Sequence, residues 1–229
     1  MFEGIINHIK IINLEGSMLL MITYGSLHEA ILRGNDKGIE DCINLALDGG
    51  MDAQSILTNG LIAGMSIVSA RFTSGEMFIP EVLFSAIAMH KGIDILKPFL
   101  GKSGHINMGK IIIGTVEGDI HTIGKSIVSV LLEGNGFEVI DIGVDVKADA
   151  FAQAIENYKP NILGMSALLT TTAPNMEKTI NFLKEKGLRE RVKIIIGGAP
   201  VDEQFAEAIG ADGYAPDAGS AVALVKKLI

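Results

Sequence analysis

Tryptophan is absent from these 229 residues, and aromatic side chains make up only 5%. Stacking platforms for single-stranded nucleic acid are therefore poorly supplied. One cysteine, Cys42, excludes an internal disulfide and any multi-cysteine zinc or iron–sulfur site. A single unpaired thiol fits a reducing, cytoplasmic compartment. Positive charge is also short: 19 Lys and Arg stand against 27 Asp and Glu, a net charge of −8. A surface of that sign repels phosphate backbones and anionic lipid, which argues against nucleic-acid and membrane partners. No run reaches the ~18–20 continuous apolar residues of a membrane helix. The apolar N-terminus is broken by Asn7, His8, Lys10, Asn13 and Glu15 and carries no small-residue cleavage signature. It reads as an extension over residues 1–25, or as sequence ahead of a natural start at Met18 or Met21, rather than as a secretory signal.

What is present is core-forming material: 48% hydrophobic against 20% charged residues, which excludes a disordered chain. The length suits one large domain or two small ones. Over residues 26–100 apolar positions recur at helical spacing. Ser26-Leu27-His28-Glu29 has the pattern of a capping box and predicts the start of the first helix. Asp52 is placed to cap a helix running to about Phe72, and Pro80 suits the first turn of a helix continuing toward Pro98. Roughly four helices here predict a small antiparallel bundle. Residues 101–108, beginning Gly101-Lys102-Ser103-Gly104, read as a linker.

From residue 109 to 229 the pattern alternates. Short β-branched runs at Lys110–Thr115, Glu138–Ile142, Ile162–Ser166 and Lys193–Ile196 are interleaved with helical segments, and a last strand near Gly213-Tyr214 is followed by a helix. Five βα units predict an α/β domain with a parallel sheet in flavodoxin-like, Rossmann-type order. Ligands of such folds sit beyond the carboxyl ends of the strands. The loop after the first strand, Glu117-Gly118-Asp119-Ile120-His121-Thr122-Ile123-Gly124, carries the most chemistry. A carboxylate two residues from an imidazole can fix its tautomer and raise the basicity of the other ring nitrogen, as a metal-ligating histidine requires. Gly124, in the first helical turn, leaves room for a bulky ligand. An Asp-x-His in a surface loop is equally an ordinary structural pair.

Two later elements accompany that loop. Ser166-Ala167-Leu168 follows Gly124 after 41 intervening residues, and Gly197-Gly198 follows Leu168 after 28. Together they resemble the D-x-H-x-x-G, S-x-L, G-G signature of the cobalamin-binding family. Phe72 to Leu83, with Met89, is similar to the helical cap of the corrinoid proteins of methyltransferase systems, and the resemblance covers about residues 26–229. It implies an N-terminal helical bundle cap followed by a five-stranded cobalamin-binding domain, and a cobalamin or related corrinoid with its cobalt as cofactor. It also implies His121 as the lower axial cobalt ligand, with Asp119 bonded to it and a hydroxyl among Thr170–Thr172 completing a proton relay. Thr172 is the choice for that hydroxyl, where the family usually shows Ser in its best-studied members. Gly118, Thr122, Ile123 and Gly124 would surround the cofactor, and Ser166, Leu168, Thr170, Gly197 and Gly198 would line the cleft for its nucleotide tail. Met77, Phe78 and Val82 would shield the upper face of cobalt, and Gly101–Gly104 would serve as a hinge that lets the helical domain move aside. Each has an ordinary alternative: Met and Phe at helical spacing are common core residues, Thr170–Thr172 could cap the next helix, and Glu81 suits a helix's first turn. His8, His28, His90 and His105 have no carboxylate at useful spacing and read as surface or satisfied residues.

The function so implied is that of a corrinoid methyl carrier. It takes a methyl group onto Co(I) from a donor through one methyltransferase and passes it from methyl-Co(III) to tetrahydrofolate or a thiol through another. It would work with donor-side and acceptor-side methyltransferases and a reductive activator, with no complete active site of its own. The alternatives are the cobalamin-binding subunit of a radical mutase, against which the helical segment argues, and a cobalamin-sensing regulator, which would want a basic helix-turn-helix. A flavodoxin or receiver domain is disfavoured because the first loop has neither a phosphate cradle nor an acidic cluster.

Overall fold

The computed structural model of the protein describes residues 23–100 and 108–229. Most of the expected N-terminal extension, His8, His105 and the Gly101–Gly104 hinge lie outside them. The chain divides into two compact units, Met1–His105 and Ile106–Ile229.

In the first unit, α1 (Tyr24–Leu32) begins two residues before the expected Ser26 start. The Ser26 N–H is bonded to the Thr23 carbonyl inside the first turn, and Glu29 pairs with Arg33 at 2.6 Å, so the capping box does not form. Asn35 caps α2 (Asp36–Asp48) by accepting the Gly38 N–H. Asp52 accepts the Ser55 N–H at 2.9 Å and opens a continuous helix made of α3 (Ala53–Ser55), a π-helical stretch (Ile56–Ile62) and α4 (Ala63–Thr73). Hydrophobic periodicity carries no sign of the wider π turn. This helix is apolar enough by composition to cross a membrane, yet half of it is buried as a core element of the fold. Pro80 stands in the first turn of α5 (Ile79–Leu96), where Glu81 accepts the Phe78 N–H at 2.8 Å. The first-turn acid therefore has a capping role. Leu27, Ile31, Ile43, Leu61, Met65 and Met89 are among the fully buried side chains.

The second unit holds β1 (Lys110–Thr115), α6 (Ile123–Gly134), β2 (Glu138–Asp141), α7 (Ala148–Tyr158), β3 (Ile162–Ser166), α8 (Pro174–Glu185), β4 (Lys193–Gly197), α9 (Glu203–Ile209), β5 (Gly213–Tyr214) and α10 (Ala218–Leu228). Ile111–Ile113 and Ile194–Ile196 are buried on both faces, as parallel strands under two helical layers must be. The order is β2-β1-β3-β4-β5, every pair parallel. The strand order reverses between β1 and β3, so the loops leaving these two strands open a crevice at the carboxyl edge of the sheet. Their register aligns Thr115 with Ser166 and Ser166 with Gly197, which brings all three sequence signatures to one edge.

At the other end of the sheet Asp212 ties β5 to β4. It accepts from Arg189 Nη2 at 2.8 Å, from the Ile194 N–H at 2.8 Å and from Lys193 Nζ at 3.2 Å. Burial pushes its pKa up, but the Ile194 N–H and the two cations outweigh burial and hold the carboxyl below its ordinary value. Asp212→Ala should lower the stability of the apoprotein by about 1–3 kcal/mol at neutral pH, because the Ile194 N–H loses its acceptor and the half-buried Arg189 loses its counter-ion. A depressed carboxyl stabilises fully above its unfolded pKa near ~4 and loses that contribution as pH falls toward its folded value. The gap between wild type and Asp212→Asn in urea unfolding should therefore narrow in acid. An equal gap at pH 7 and pH 3 would refute this account.

Candidate functional site

Asp119 lies at the carboxyl edge, just beyond β1, with no exposed surface. Its Oδ1 accepts the His121 backbone N–H at 3.1 Å and the His121 Nδ1–H at 2.7 Å. Its Oδ2 accepts the Leu168 N–H and the Thr172 hydroxyl, each at 2.7 Å. Burial raises the Asp119 pKa, but the Leu168 N–H, the Thr172 hydroxyl and the two His121 donors outweigh it and hold the carboxyl well below the usual carboxylate range. Asp119 is thus an anion that can only accept, which places a proton on the imidazole Nδ1 and, in the neutral ring, the lone pair on Nε2. The His121 side chain is 47% exposed, and its carbonyl accepts from Thr115 Oγ1 at 3.0 Å. Among the described residues, nothing bonds to Nε2.

Of the three threonines, Thr172 is buried while Thr170 and Thr171 are exposed. The Thr172 hydroxyl faces Asp119 and the Leu169 carbonyl, and Ala173, not a threonine, occupies the N-cap position of α8. Ser166 ends β3 half-buried, its carbonyl accepting the Val116 N–H. Ile120, Leu168 and Leu169 hold exposed apolar side chains on the two loops that carry His121 and the Leu168 N–H, and so does Ile123 at the start of α6. Gly124 has no atom within 4 Å of where a Cβ would sit. The protein leaves that space empty of its own side chains. Gly198 is the opposite case: its φ is +136°, and a Cβ there would lie 1.8 Å from the Ala167 carbonyl oxygen. At Gly197 a Cβ would approach the Ala215 carbonyl to 3.0 Å.

The three residues expected to shield the cofactor, Met77, Phe78 and Val82, belong to the helical unit and differ among themselves. Val82 and Met77 are buried, whereas Phe78 is 68% exposed, as are its neighbours Ile79, Leu83 and Ile87 to lesser degrees. His28 is satisfied by the Asn59 carbonyl at 2.8 Å. Sequence reading missed two braces of the Glu117–Asp119 turn. Asn175 donates to the Glu117 carbonyl at 2.7 Å, and Asp145 accepts the Gly118 N–H at 2.7 Å. Nothing in their local sequence marks either, because both act across the sheet edge. Lys125, on the first turn of α6, is buried and paired with Asp141 at the end of β2.

Among the described residues, no cluster of three or more His, Cys, Asp or Glu could enclose a bare ion. One imidazole with an available Nε2, in a segment that also carries exposed apolar side chains and a glycine with open space at its Cβ position, fits a metal that arrives already held in a macrocycle. The comparisons with known proteins agree. Residues 109–223 and 24–97 each match a family described as B12 binding domain. A corrinoid protein of Desulfitobacterium hafniense is 39% identical over 214 residues, covering 92% of this chain and 99% of that one. Dimethylamine corrinoid protein 1 of Methanosarcina acetivorans is 47% identical over 182 residues, 79% of this chain and 85% of its own. The crystal structure of the methanol:cobalamin methyltransferase complex from Methanosarcina barkeri includes a chain that superposes with a TM-score of 0.78 at 30% identity, covering 89% of this chain and 78% of that one. With both units matched and relatives aligned over most of its length, the chain belongs to the B12-binding corrinoid proteins of methyltransferase systems.

Proposed function

We propose that this protein carries a methyl group between two partner methyltransferases, one acting on the donor and one delivering to an acceptor such as tetrahydrofolate or a thiol, with a reductive activator protein restoring the cofactor after oxidation. The observation that carries the reading is the Asp119–His121–Thr172 arrangement, with Nε2 left open. When bound, the corrinoid supplies a nucleophilic cobalt that holds the methyl group in transit. His121 is the residue that would hold the metal, through Nε2. Asp119 keeps the ring oriented and the proton on Nδ1, and Thr172 with the Leu168 N–H keeps Asp119 ionised. When Nε2 is not engaged it can bind a proton, and the charged ring is then paired with a carboxylate that is already an anion. Ser166, Leu168, Thr170, Gly197 and Gly198 would line the tail cleft, with Gly118, Thr122, Ile123 and Gly124 around the cofactor. Met77 and Val82 would support the shielding surface from within the helical unit, and Phe78 would supply its exposed face. One named relative is called a dimethylamine corrinoid protein and the superposed chain comes from a methanol:cobalamin methyltransferase complex, and a small methylated amine or alcohol is the donor class this reading takes from them.

The reading is tested by loading the apoprotein with hydroxocobalamin, reducing it, and labelling it with isotopic methyl iodide. The label should stay with the protein and move to tetrahydrofolate or a thiol only when a methyltransferase fraction is added. A protein that binds the corrinoid tightly but yields no label to either acceptor would overturn the carrier reading.

A further inference from the structure

Among the described residues, two that are not glycine have a positive φ: Lys159 at 50° and Asp145 at 52°. Lys159 closes the C-terminus of α7, a common place for a left-handed residue. Asp145 has no such excuse. It lies in the loop between the edge strand β2 and α7, and strained backbone of this kind gathers where the surrounding structure requires one particular geometry.

Two bonds define that geometry. The Asp145 Oδ1 accepts the Gly118 N–H at 2.7 Å, and the Asp145 N–H donates to the Asp119 carbonyl at 2.9 Å. One residue therefore holds two successive residues of the turn that leads to His121. The left-handed backbone is what turns both groups toward that turn. On either side the strands stay in contact: the Thr115 N–H donates to the Gly143 carbonyl and the Val146 N–H to the Thr115 carbonyl, each at 3.0 Å, and Val116 bridges Val146. Residues 119–122 have no regular secondary structure, so the direction of the His121 ring depends on how the chain is held at Gly118 and Asp119. The Asp119 carboxylate is anchored toward β3 by Leu168 and Thr172, and its backbone is anchored toward β2 by Asp145.

We propose that Asp145 is a positioning residue for the axial histidine: it grips the backbone at Gly118 and Asp119 and so aims His121 Nε2 at the metal. This rests on the reading that His121 is the cobalt ligand. Asp145 itself touches neither imidazole nor cofactor in this account. Its side chain is exposed, so removing it opens no cavity in the core.

Three substitutions separate the bond from the backbone. Asp145→Asn keeps an accepting oxygen and tolerates the left-handed region. Asp145→Gly keeps the backbone freedom and loses only the side-chain bond. Asp145→Ala loses both. Each variant and wild type are loaded with hydroxocobalamin, and the ratio of imidazole-bound to imidazole-free corrinoid is read from the visible spectrum, with thermal unfolding of the apoproteins measured in parallel. Loss of an outer partner of a metal ligand typically weakens coordination about 10–100-fold. Asp145 acts one step further out, so the Gly variant should shift the ratio up to about tenfold toward the imidazole-free form, the Ala variant further, and the Asn variant should stay near wild type. A Gly variant with the wild-type ratio overturns the proposal, as does an Asn variant as impaired as Gly. His121→Gly run alongside tells the two readings apart: if its spectrum matches wild type, the ligand assignment fails, whereas a shifted His121→Gly spectrum with unshifted Asp145 variants fails Asp145 alone.

Discussion

Replacing His121 by Gly should leave a folded protein whose bound Co(III) corrinoid no longer shows the spectrum of an imidazole-coordinated metal. Exposure keeps the fold intact. The ring is about half in solvent, and the residue lies in a segment without regular structure, so its removal opens no core cavity. Asp119 keeps the Leu168 N–H and the Thr172 hydroxyl, so its charge remains satisfied. Corrinoid binding should persist through the tail cleft, weakened by at least the ~10–100-fold that follows loss of an outer-shell partner. Added imidazole should restore part of the wild-type spectrum by occupying the vacated position. Asp119→Asn should fall between the two, because an amide can still meet the ring but cannot fix the Nδ1 proton with a full charge. An unchanged spectrum in His121→Gly would remove His121 from the metal and leave the Asp119 network as a structural feature of the loop.

The second large effect separates two glycines that belong to the same sequence signature for opposite reasons. Gly198→Ala would bring a methyl group to 1.8 Å from the Ala167 carbonyl, at a φ of +136° that side chains rarely adopt. The backbone of Ala167 would have to move, and the next residue is Leu168, whose N–H holds Asp119. Overpacking and strain each cost about 1–3 kcal/mol, so the apoprotein should lose about 2–6 kcal/mol. Gly124→Leu should do the reverse. Apart from its chain neighbours and the helix's own backbone, no protein atom lies within 4 Å of the new Cβ, and replacing a helical glycine gains up to about 1 kcal/mol of helix propensity. The apoprotein should melt slightly higher. If the space beside Gly124 belongs to the cofactor, the leucine fills it, and an overlap costing about 1–3 kcal/mol weakens corrinoid binding about 5–150-fold. Thermal unfolding of the apoproteins with spectrophotometric titration of the corrinoid distinguishes the two. A Gly124→Leu protein that binds like wild type would place the cofactor elsewhere.

Much of the α/β unit was legible because parallel strands buried on both faces leave a coarse trace. Runs such as Ile111–Ile113 and Ile194–Ile196 admit few other readings once helical segments stand between them. The helical unit was read less well at its ends. Ser26 and Glu29 had the residue types of a capping box, but Thr23 receives the Ser26 N–H and Arg33 takes Glu29, and a pattern of types holds no information about those competitors. Periodicity was equally silent about the π turn at Ile56–Ile62, since one wider turn shifts the apolar stripe too little to register in so hydrophobic a segment.

The sequence by itself determined which chemistry could be assembled: one carboxylate two residues from one imidazole, hydroxyls at Thr170–Thr172, and glycines spaced to fall at strand ends. These follow from residue type and local spacing, which the chain carries wherever it folds. The tertiary structure decided which of those groups meet. Thr172 and not Thr170 reaches Asp119 because the loop after β3 turns its buried side toward β1, 53 residues away in the chain. Asp145 reaches Gly118 across 27 residues because β2 pairs with β1 at the sheet edge. Hydrogen bonds act over about 3 Å and ignore sequence distance, so their partners were set by strand order and register, which only the folded sheet supplies.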